Sequence, residues 1–361
     1  MAYPLVDNTI TDSVMKCLES GWISSGPRVA HLEALVAQFC GTTHAVAMNN
    51  GTSTLHALML ALGVGPGDEV IVPNLSYISP LFAIAHVGAV PVICSYEPNT
   101  FNVTSSDVRE AISHRTKAVI SVDMKGQPVD YNSINELCSE FGIAHIADSA
   151  ESFGAVYRGQ RVGAQALAHS FSFFANKMIF AGEGGIITTN DPSLADRLKR
   201  IRNQGQSERY VHSLLGHNFR MPDLVAAVVI PQIEQVAETL TLKKSVVNKY
   251  NRRLNVSGAR YQLPVTASYV DLHAHYCYTL TFREREGKQR LANNFDRLGI
   301  EYRTSFPMLS SQPLLEKLDF RITSSPESDN YLFERMIDIP CHHNMTDEQI
   351  DLVTEAITAD Q

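Results

Sequence analysis

The sequence predicts an α/β fold: a large domain built on a mostly parallel sheet covered by helices, then a smaller α+β C-terminal domain. Between about residues 45 and 190, apolar runs of strand length alternate with segments of helical period, the pattern of strands joined by crossover helices. At 361 residues the chain is too long for one compact core. In the tail, a few strand-like runs and helices follow a long helical stretch. The expected division is residues 1–240, with an N-terminal helical segment, and residues 241–361.

Taken in order, residues 9–20 carry Ile10, Val14, Met15 and Leu18 at helical spacing. The small residues around Trp22 predict a loop folded over something. Residues 28–39 are again helical by period, with Gly41 as the stop. Residues 45–48 read as a strand, Gly51-Thr52-Ser53 as a turn, and residues 55–62 as a helix ended by Gly63. Strand candidates follow at 70–73, 91–94, 118–122, 143–147, 170–174 and 185–189, with helices at 80–86, 106–112 and 132–141. Residues 211–222 interrupt the pattern. Residues 223–253 are long and helical, with Pro231 expected to kink or divide them. Residues 276–282 and 300–303 read as strands, 289–298 as a helix, and 346–359 as a closing helix capped by Thr346. No internal repeat or low-complexity segment is present.

Apolar residues make up 44% of the chain, enough for a substantial core. A net charge of −8 at pH 7 argues against a nucleic-acid partner, which needs a basic face. A phosphorylated ligand must then be met by local donors. The six cysteines are scattered, with no Cys-x-x-Cys pair, as expected of free thiols in a reducing compartment. Met1-Ala2-Tyr3-Pro4-Leu5 shows no basic region followed by an apolar run, and no apolar stretch is long enough to span a bilayer. The expectation is a cytoplasmic protein without a membrane partner.

The chemistry centres on Lys177, which follows the aromatic run Phe171-Ser172-Phe173-Phe174 and precedes Gly182-Glu183-Gly184-Gly185. A lysine in a partly apolar setting has its ammonium disfavoured, leaving the amine free to attack a carbonyl. Taken alone it reads as an ordinary surface lysine. Upstream, Asp148 ends an apolar run, where a carboxylate can keep the pyridine nitrogen of pyridoxal phosphate protonated while the lysine holds its aldehyde; helix capping is the plainer role. Gly51-Thr52-Ser53 opens a helix, whose free N–H groups and partial positive charge suit a phosphate, although plain capping by Ser or Thr explains the same residues. In α/β sheets ligands sit at the carboxyl ends of strands. Asp148, the Gly51 turn and Tyr77 all follow strand candidates. His273-x-His275 and His342-His343 lack acidic or cysteine partners, so a surface or pocket-edge role is expected and no metal site.

With these residues placed, the chain resembles the DegT/DnrJ/EryC1/StrS family of sugar aminotransferases, which are fold-type I pyridoxal-phosphate enzymes. The resemblance runs over nearly the whole length. It covers Ser20-Gly21-Trp22-Ile23-Ser24-Ser25-Gly26-Pro27, Asn50-Gly51-Thr52-Ser53-Thr54, Gly65-Pro66-Gly67-Asp68-Glu69 and Gly88-Ala89-Val90-Pro91-Val92. Asp148-Ser149-Ala150-Glu151, Ser172-Phe173 with Lys177, and Gly216-His217-Asn218-Phe219-Arg220-Met221 continue it. The resemblance implies that Lys177 links the cofactor and moves the proton, and that Asp148 pairs with the ring nitrogen. It puts Glu151 near the phenolic oxygen and Tyr77 on the ring. Gly51, Thr52, Ser53 and Ser172 would bind the phosphate, joined by Asn218 from the neighbouring subunit of a homodimer with shared sites. Arg220 becomes a candidate for anionic substrate groups; Tyr77 as core and Arg220 as a structural ion-pair partner stay open. The family commonly has a His before the segment ending in Gly-Gln-Pro, where this chain has Asp123-Met124-Lys125-Gly126-Gln127-Pro128, a departure that bears on the nucleotide-sugar contacts.

The implied activity is transfer of an amino group from glutamate to a keto-sugar nucleotide. The motifs around Lys177 are similar to those of perosamine-synthase-type enzymes, which implies a GDP-linked 4-keto-6-deoxyhexose. Amination of a 3-keto sugar, of a dTDP- or UDP-linked sugar, or of a keto-cyclitol stays open, as does a non-catalytic regulatory protein that binds pyridoxal phosphate. Related dehydratases carry His in place of the lysine, so Lys177 points to transamination.

Overall fold

The computed structural model describes residues 5–359 and, within 326–328, the backbone alone; the expectation about residues 1–4 lies outside the described residues. Eight strands form the main sheet: His44–Met48 (β1), Glu69–Pro73 (β2), Val90–Cys94 (β3), Thr116–Val122 (β4), Ala144–Asp148 (β5), Ala168–Ser172 (β6), Gly185–Thr189 (β7) and Arg321–Ile322 (β8). Their order is β1-β7-β6-β5-β4-β2-β3-β8. Only β7 runs against its neighbours, β1 and β6; the other pairs are parallel.

Successive strand residues point to opposite faces, and both faces of this sheet are covered. Val46, Met48, Val70, Val72, Ile120 and Ile146 enter one core. Their neighbours Ala47, Ile71, Val119, Ala147 and Phe171 enter the other. This is why the strands read as continuous apolar runs.

The first helices are Asn8–Glu19 (α1), Pro27–Cys40 (α2), Gly51–Ala61 (α3) and Ser79–His86 (α4). Helix α2 is opened by a distant residue. The buried Asp223 carboxylate accepts the N–H groups of Gly26 (2.8 Å), Arg28 (3.0 Å) and Val29 (3.0 Å). The loop before α2 holds Trp22 more than half exposed, its ring against Gly26.

The long helical stretch divides into Asp223–Glu234 and Val236–Leu254, bent by 62°. The break falls at Gln235 (φ −99, ψ 0), one turn beyond Pro231, which stays inside the first helix; the N–H that proline lacks would bond back to residue 227, so Pro231 does not itself make the break expected of it. Residues 240 and 241 lie inside the second of these helices. Among the described residues no single helix is long and apolar enough to cross a membrane.

A second sheet, antiparallel throughout, orders Tyr261–Gln262, Tyr278–Phe282, Met336–Ile339 and Arg303–Thr304. It shares a core with Tyr250, Phe295 and Ile350 from the helices Val236–Leu254, Arg285–Leu298 and Asp347–Thr358. Its strand at 276–282 begins only at Tyr278. The N–H groups of Ala274 and Tyr276 bond instead to the carbonyls of Gly126 and Lys125, which ties this sheet to the loop after β4. The helix Pro192–Arg202, β8 and the strand Met336–Ile339 have no counterpart among the sequence expectations.

Candidate active site

The site is assembled where the main-sheet strands end. Asp148 is the last residue of β5 and Ser172 the last of β6, while Gly51 opens α3 just past β1. No Cβ fits at Gly51, since it would lie 2.9 Å from Ser172 Cβ and 3.2 Å from its Oγ. Glycine is therefore what lets the start of α3 rest on the end of β6. Asn50 caps α3 through the N–H of Ser53 (2.8 Å). The Thr52 hydroxyl meets the Ser79 hydroxyl at 2.7 Å, joining α3 to the start of α4 and the loop that carries Tyr77.

Lys177 follows β6 in an irregular turn, its backbone N–H held by the Phe174 carbonyl at 2.9 Å. Its Nζ lies 3.6 Å from Glu151 Oε1 and 4.4 Å from the centre of the Tyr276 ring. Burial disfavours its ammonium, but Glu151, Tyr276 and Asp148 outweigh burial and the opposing charge of Arg303, so its pKa lies above the ordinary lysine value. This corrects the expectation of a freed amine: the setting is enclosed but acidic, and Lys177 keeps its proton until another group takes it.

Burial pushes the Asp148 carboxyl up to about 7. The Ala150 N–H at 3.1 Å and Lys177 pull it down, and Glu151 and Asp123 push it further up. No helix follows Asp148, so capping is not its role. Glu151 is fixed from behind: its Oε2 accepts the N–H of Lys125 at 2.9 Å. Lys125 is held in the left-handed region, φ 61. Its Nζ is buried on both Asp338 oxygens (3.0 Å each) and Ser305 Oγ (2.9 Å).

The other expected residues lie farther out. Tyr77 is 57% exposed, its ring 5.4 Å from that of Phe306. Asn218 is exposed, paired through its backbone with Asn203. Arg220 donates to Asn203 Oδ1 at 2.8 Å and, among the described residues, forms no ion pair. His273 is buried, and its ring stacks on that of His275 at 4.1 Å. Burial keeps both neutral, His275 at about 3, so of the surface or pocket-edge role expected for this pair the surface alternative falls away.

Nothing in the sequence marks Tyr276 or Arg303 for this site, because Arg303 arrives from the second sheet and Tyr276 from the segment that leads into it. The centre of the Tyr276 ring lies 4.4 Å from Lys177 Nζ and 5.0 Å from the Arg303 guanidinium carbon, and Arg303 Nη1 donates to the Tyr276 hydroxyl at 3.0 Å.

The expected group, pyridoxal phosphate, needs an amine for its aldehyde, a carboxylate for its ring nitrogen and donors for its phosphate. Lys177, Asp148 and the start of α3 with Thr52 and Ser172 have those chemistries at adjoining strand ends. Asn49 Oδ1, Ser76 Oγ and Asn176 Oδ1 are also buried without a partner, each one or two residues from a candidate site residue. The residues present fit the group.

The sequence matches the DegT/DnrJ/EryC1/StrS aminotransferase family over residues 4–358. GDP-perosamine synthase of Caulobacter vibrioides is 36% identical over 365 residues, covering 99% of this chain and 96% of that protein. UDP-2-acetamido-2-deoxy-3-oxo-D-glucuronate aminotransferase of Pseudomonas aeruginosa is 32% identical, covering 98% and 96%. Among solved structures, S. venezuelae DesV in complex with a ketimine intermediate superposes with a TM-score of 0.92 at 30% identity, covering 97% of this chain and 93% of that one.

Proposed function

The chain belongs to the DegT/DnrJ/EryC1/StrS aminotransferase family, and we propose that it uses pyridoxal phosphate to move an amino group from glutamate to the keto carbon of a GDP-linked 4-keto-6-deoxyhexose. The observation that carries this reading is the meeting of Lys177, Glu151 and Asp148 at the strand ends beside α3. The sugar and nucleotide rest on the likeness to GDP-perosamine synthase.

When bound, pyridoxal phosphate supplies the aldehyde and the electron-withdrawing ring through which the amino group passes from donor to acceptor. The chain's own residues do the rest. The start of α3, with Gly51, Thr52 and Ser53, and the Ser172 hydroxyl hold the phosphate. Asp148 holds a proton on the ring nitrogen, an interaction strengthened by its burial. Lys177 Nζ makes the covalent link and, once displaced, carries the proton at the reacting carbon. Glu151, 3.6 Å from that amine, orients it and would stand toward the cofactor's phenolic oxygen. Tyr77 covers the ring from the exposed side, and Arg220 meets an anionic part of the substrate.

The active unit is a homodimer in the cytoplasm. Asn218 of one copy completes the phosphate site of the other. What supports this is the exposure of Asn218 on the same loop as exposed Tyr210, Val211 and Leu215. Catalysis belongs to residues 1–240, with residues 241–361 closing the site through Tyr276 and Arg303.

The test is a panel of 4-keto and 3-keto nucleotide sugars offered with glutamate and scored by the mass of the amino product. Product from the GDP-linked 4-keto substrate alone is expected. Product from a 3-keto sugar alone would reassign the position, a possibility kept in view by the 3-oxo relative. No product with any acceptor, from protein that binds the cofactor, would overturn the reading.

A further inference from the structure

Asp123 follows β4, next to Asp148 at the end of β5, and its backbone N–H bonds to the Asp148 carbonyl at 3.0 Å. Its side chain is fully buried. Oδ1 accepts the Val129 N–H at 3.1 Å. Oδ2 is met by three hydroxyls, Tyr131 at 2.6 Å, Ser149 at 2.7 Å and Ser152 at 2.6 Å.

The proton positions follow from the neighbours. His169 Nε2 faces the N–H groups of Gln165 (3.1 Å) and Ala166 (3.0 Å), so it accepts, and the ring proton sits on Nδ1. That Nδ1–H then donates to Ser149 Oγ at 2.9 Å, leaving the serine's own hydrogen for Asp123. A protonated Oδ2 would be a poor acceptor for the other two hydroxyls. Burial pushes the Asp123 carboxyl up, and the hydroxyls of Ser152, Tyr131 and Ser149 pull it back. The geometry is that of a carboxylate that only accepts.

Ser149 and Ser152 bracket the turn that carries Asp148 at its start and Glu151 near its end. We propose that Asp123 is a positioning residue for transamination: it pins this turn and places a second buried negative charge behind Asp148, so that a cationic ring nitrogen is held there more firmly. This rests on the pyridoxal-phosphate reading above. Besides Asp123, the charged groups facing Asp148 are Lys177 and Glu151. Asp148 and Glu151 are two carboxyl groups beside the single amine of Lys177. Asp123 adds a third, which a protonated ring nitrogen helps to balance.

The test is Asp123→Asn, which keeps the shape and removes the charge. With 15N-labelled pyridoxal phosphate bound, the ring nitrogen should lose its proton about one pH unit lower than in the wild type. The dissociation constant for pyridoxal phosphate should rise about tenfold. In cofactor-free protein, the 13C resonance of the Asp148 carboxyl should titrate below its wild-type midpoint, because a like charge has gone. A role in folding alone would lower thermal stability and leave both titrations in place, and that result would overturn the proposal. If Asp123→Asn does not fold, Tyr131→Phe takes its place. It removes one donor to Oδ2, so Asp123 takes up a proton more readily, and both titrations should move the same way by a smaller amount; no movement would be fatal. A wild-type protein that binds no pyridoxal phosphate would sink the functional reading, while the carboxyl titration would still decide the Asp123–Asp148 coupling.

Discussion

Asp148→Asn should have opposite effects with and without cofactor. Burial moves the Asp148 carboxyl from its ordinary 3.8 up to about 7. A raised carboxylate pKa means that the folded state binds the proton more tightly than the unfolded chain. The stabilisation is then complete below about pH 4 and is lost as pH rises through about 7. Three pK units correspond to about 4 kcal/mol, so an ionised Asp148 in cofactor-free protein costs up to about that much. Asparagine removes the charge and can still accept the Ala150 N–H through its oxygen. Urea unfolding of cofactor-free Asp148→Asn should therefore show about 2–4 kcal/mol more stability than wild type near pH 8, about 1–2 kcal/mol near pH 5 and little difference near pH 3, with m unchanged. Loaded with pyridoxal phosphate, the order reverses. The variant loses the partner of the ring nitrogen, and turnover falls by about two orders of magnitude or more. A variant less stable than wild type at pH 8 and at pH 5, or near-normal turnover, would refute the reasoning.

Lys177→Ala should abolish turnover while the protein stays folded, and borohydride should attach the cofactor to Lys177 in the wild type; attachment to another lysine would end that assignment. Mixing Lys177→Ala with Asn218→Asp subunits should restore activity on subunit exchange, because one site of a shared-site dimer then carries neither lesion; mixed dimers without activity would place Asn218 elsewhere. Asp223→Ala strips three backbone N–H groups at the start of α2 of their acceptor and should cost about 2–4 kcal/mol in urea unfolding. Lys125→Met leaves the Asp338 carboxylate buried beside Thr279 Oγ1 at 2.6 Å and should cost about 3 kcal/mol; Lys125→Met with Asp338→Leu should cost less than the sum of the single changes, and strict additivity in the cycle would argue against a coupled pair.

The local chemistry of the sequence determined much of this protein. The apolar runs at 70–73, 118–122 and 185–189 place strands within two residues of their observed bounds, because a strand buried on both faces has little choice but continuous apolar residues. Gly41 stops α2 with φ 69, a conformation that favours glycine. Gly51-Thr52-Ser53, read as a turn before a helix at 55–62, proves to be the first turn of α3 itself, and the cap is Asn50, not a Ser or Thr. The family resemblance rests on motifs of this kind, each readable within a few residues.

What the fold alone decided depends on partners far apart in the chain. Asp223 caps a helix nearly two hundred residues away. Lys125 reaches Asp338, and Tyr276 covers Lys177, through a second sheet whose short strands leave only a weak pattern. The helix Pro192–Arg202 is a case apart: it buries Leu194, Ala195, Leu198 and Ile201, which stand at helical spacing among charged residues, so the sequence carries its signal although no expectation names it. The charge state of Lys177, like the contacts of Lys125 and Tyr276, is beyond the sequence. A lysine among aromatic residues reads as apolar, but its pKa is set by which carboxylates the fold brings near it, and Asp148 arrives at the end of β5 and Glu151 from the turn after it. Burial and charge proximity are sums over space, and a sequence window samples only the few neighbours along the chain.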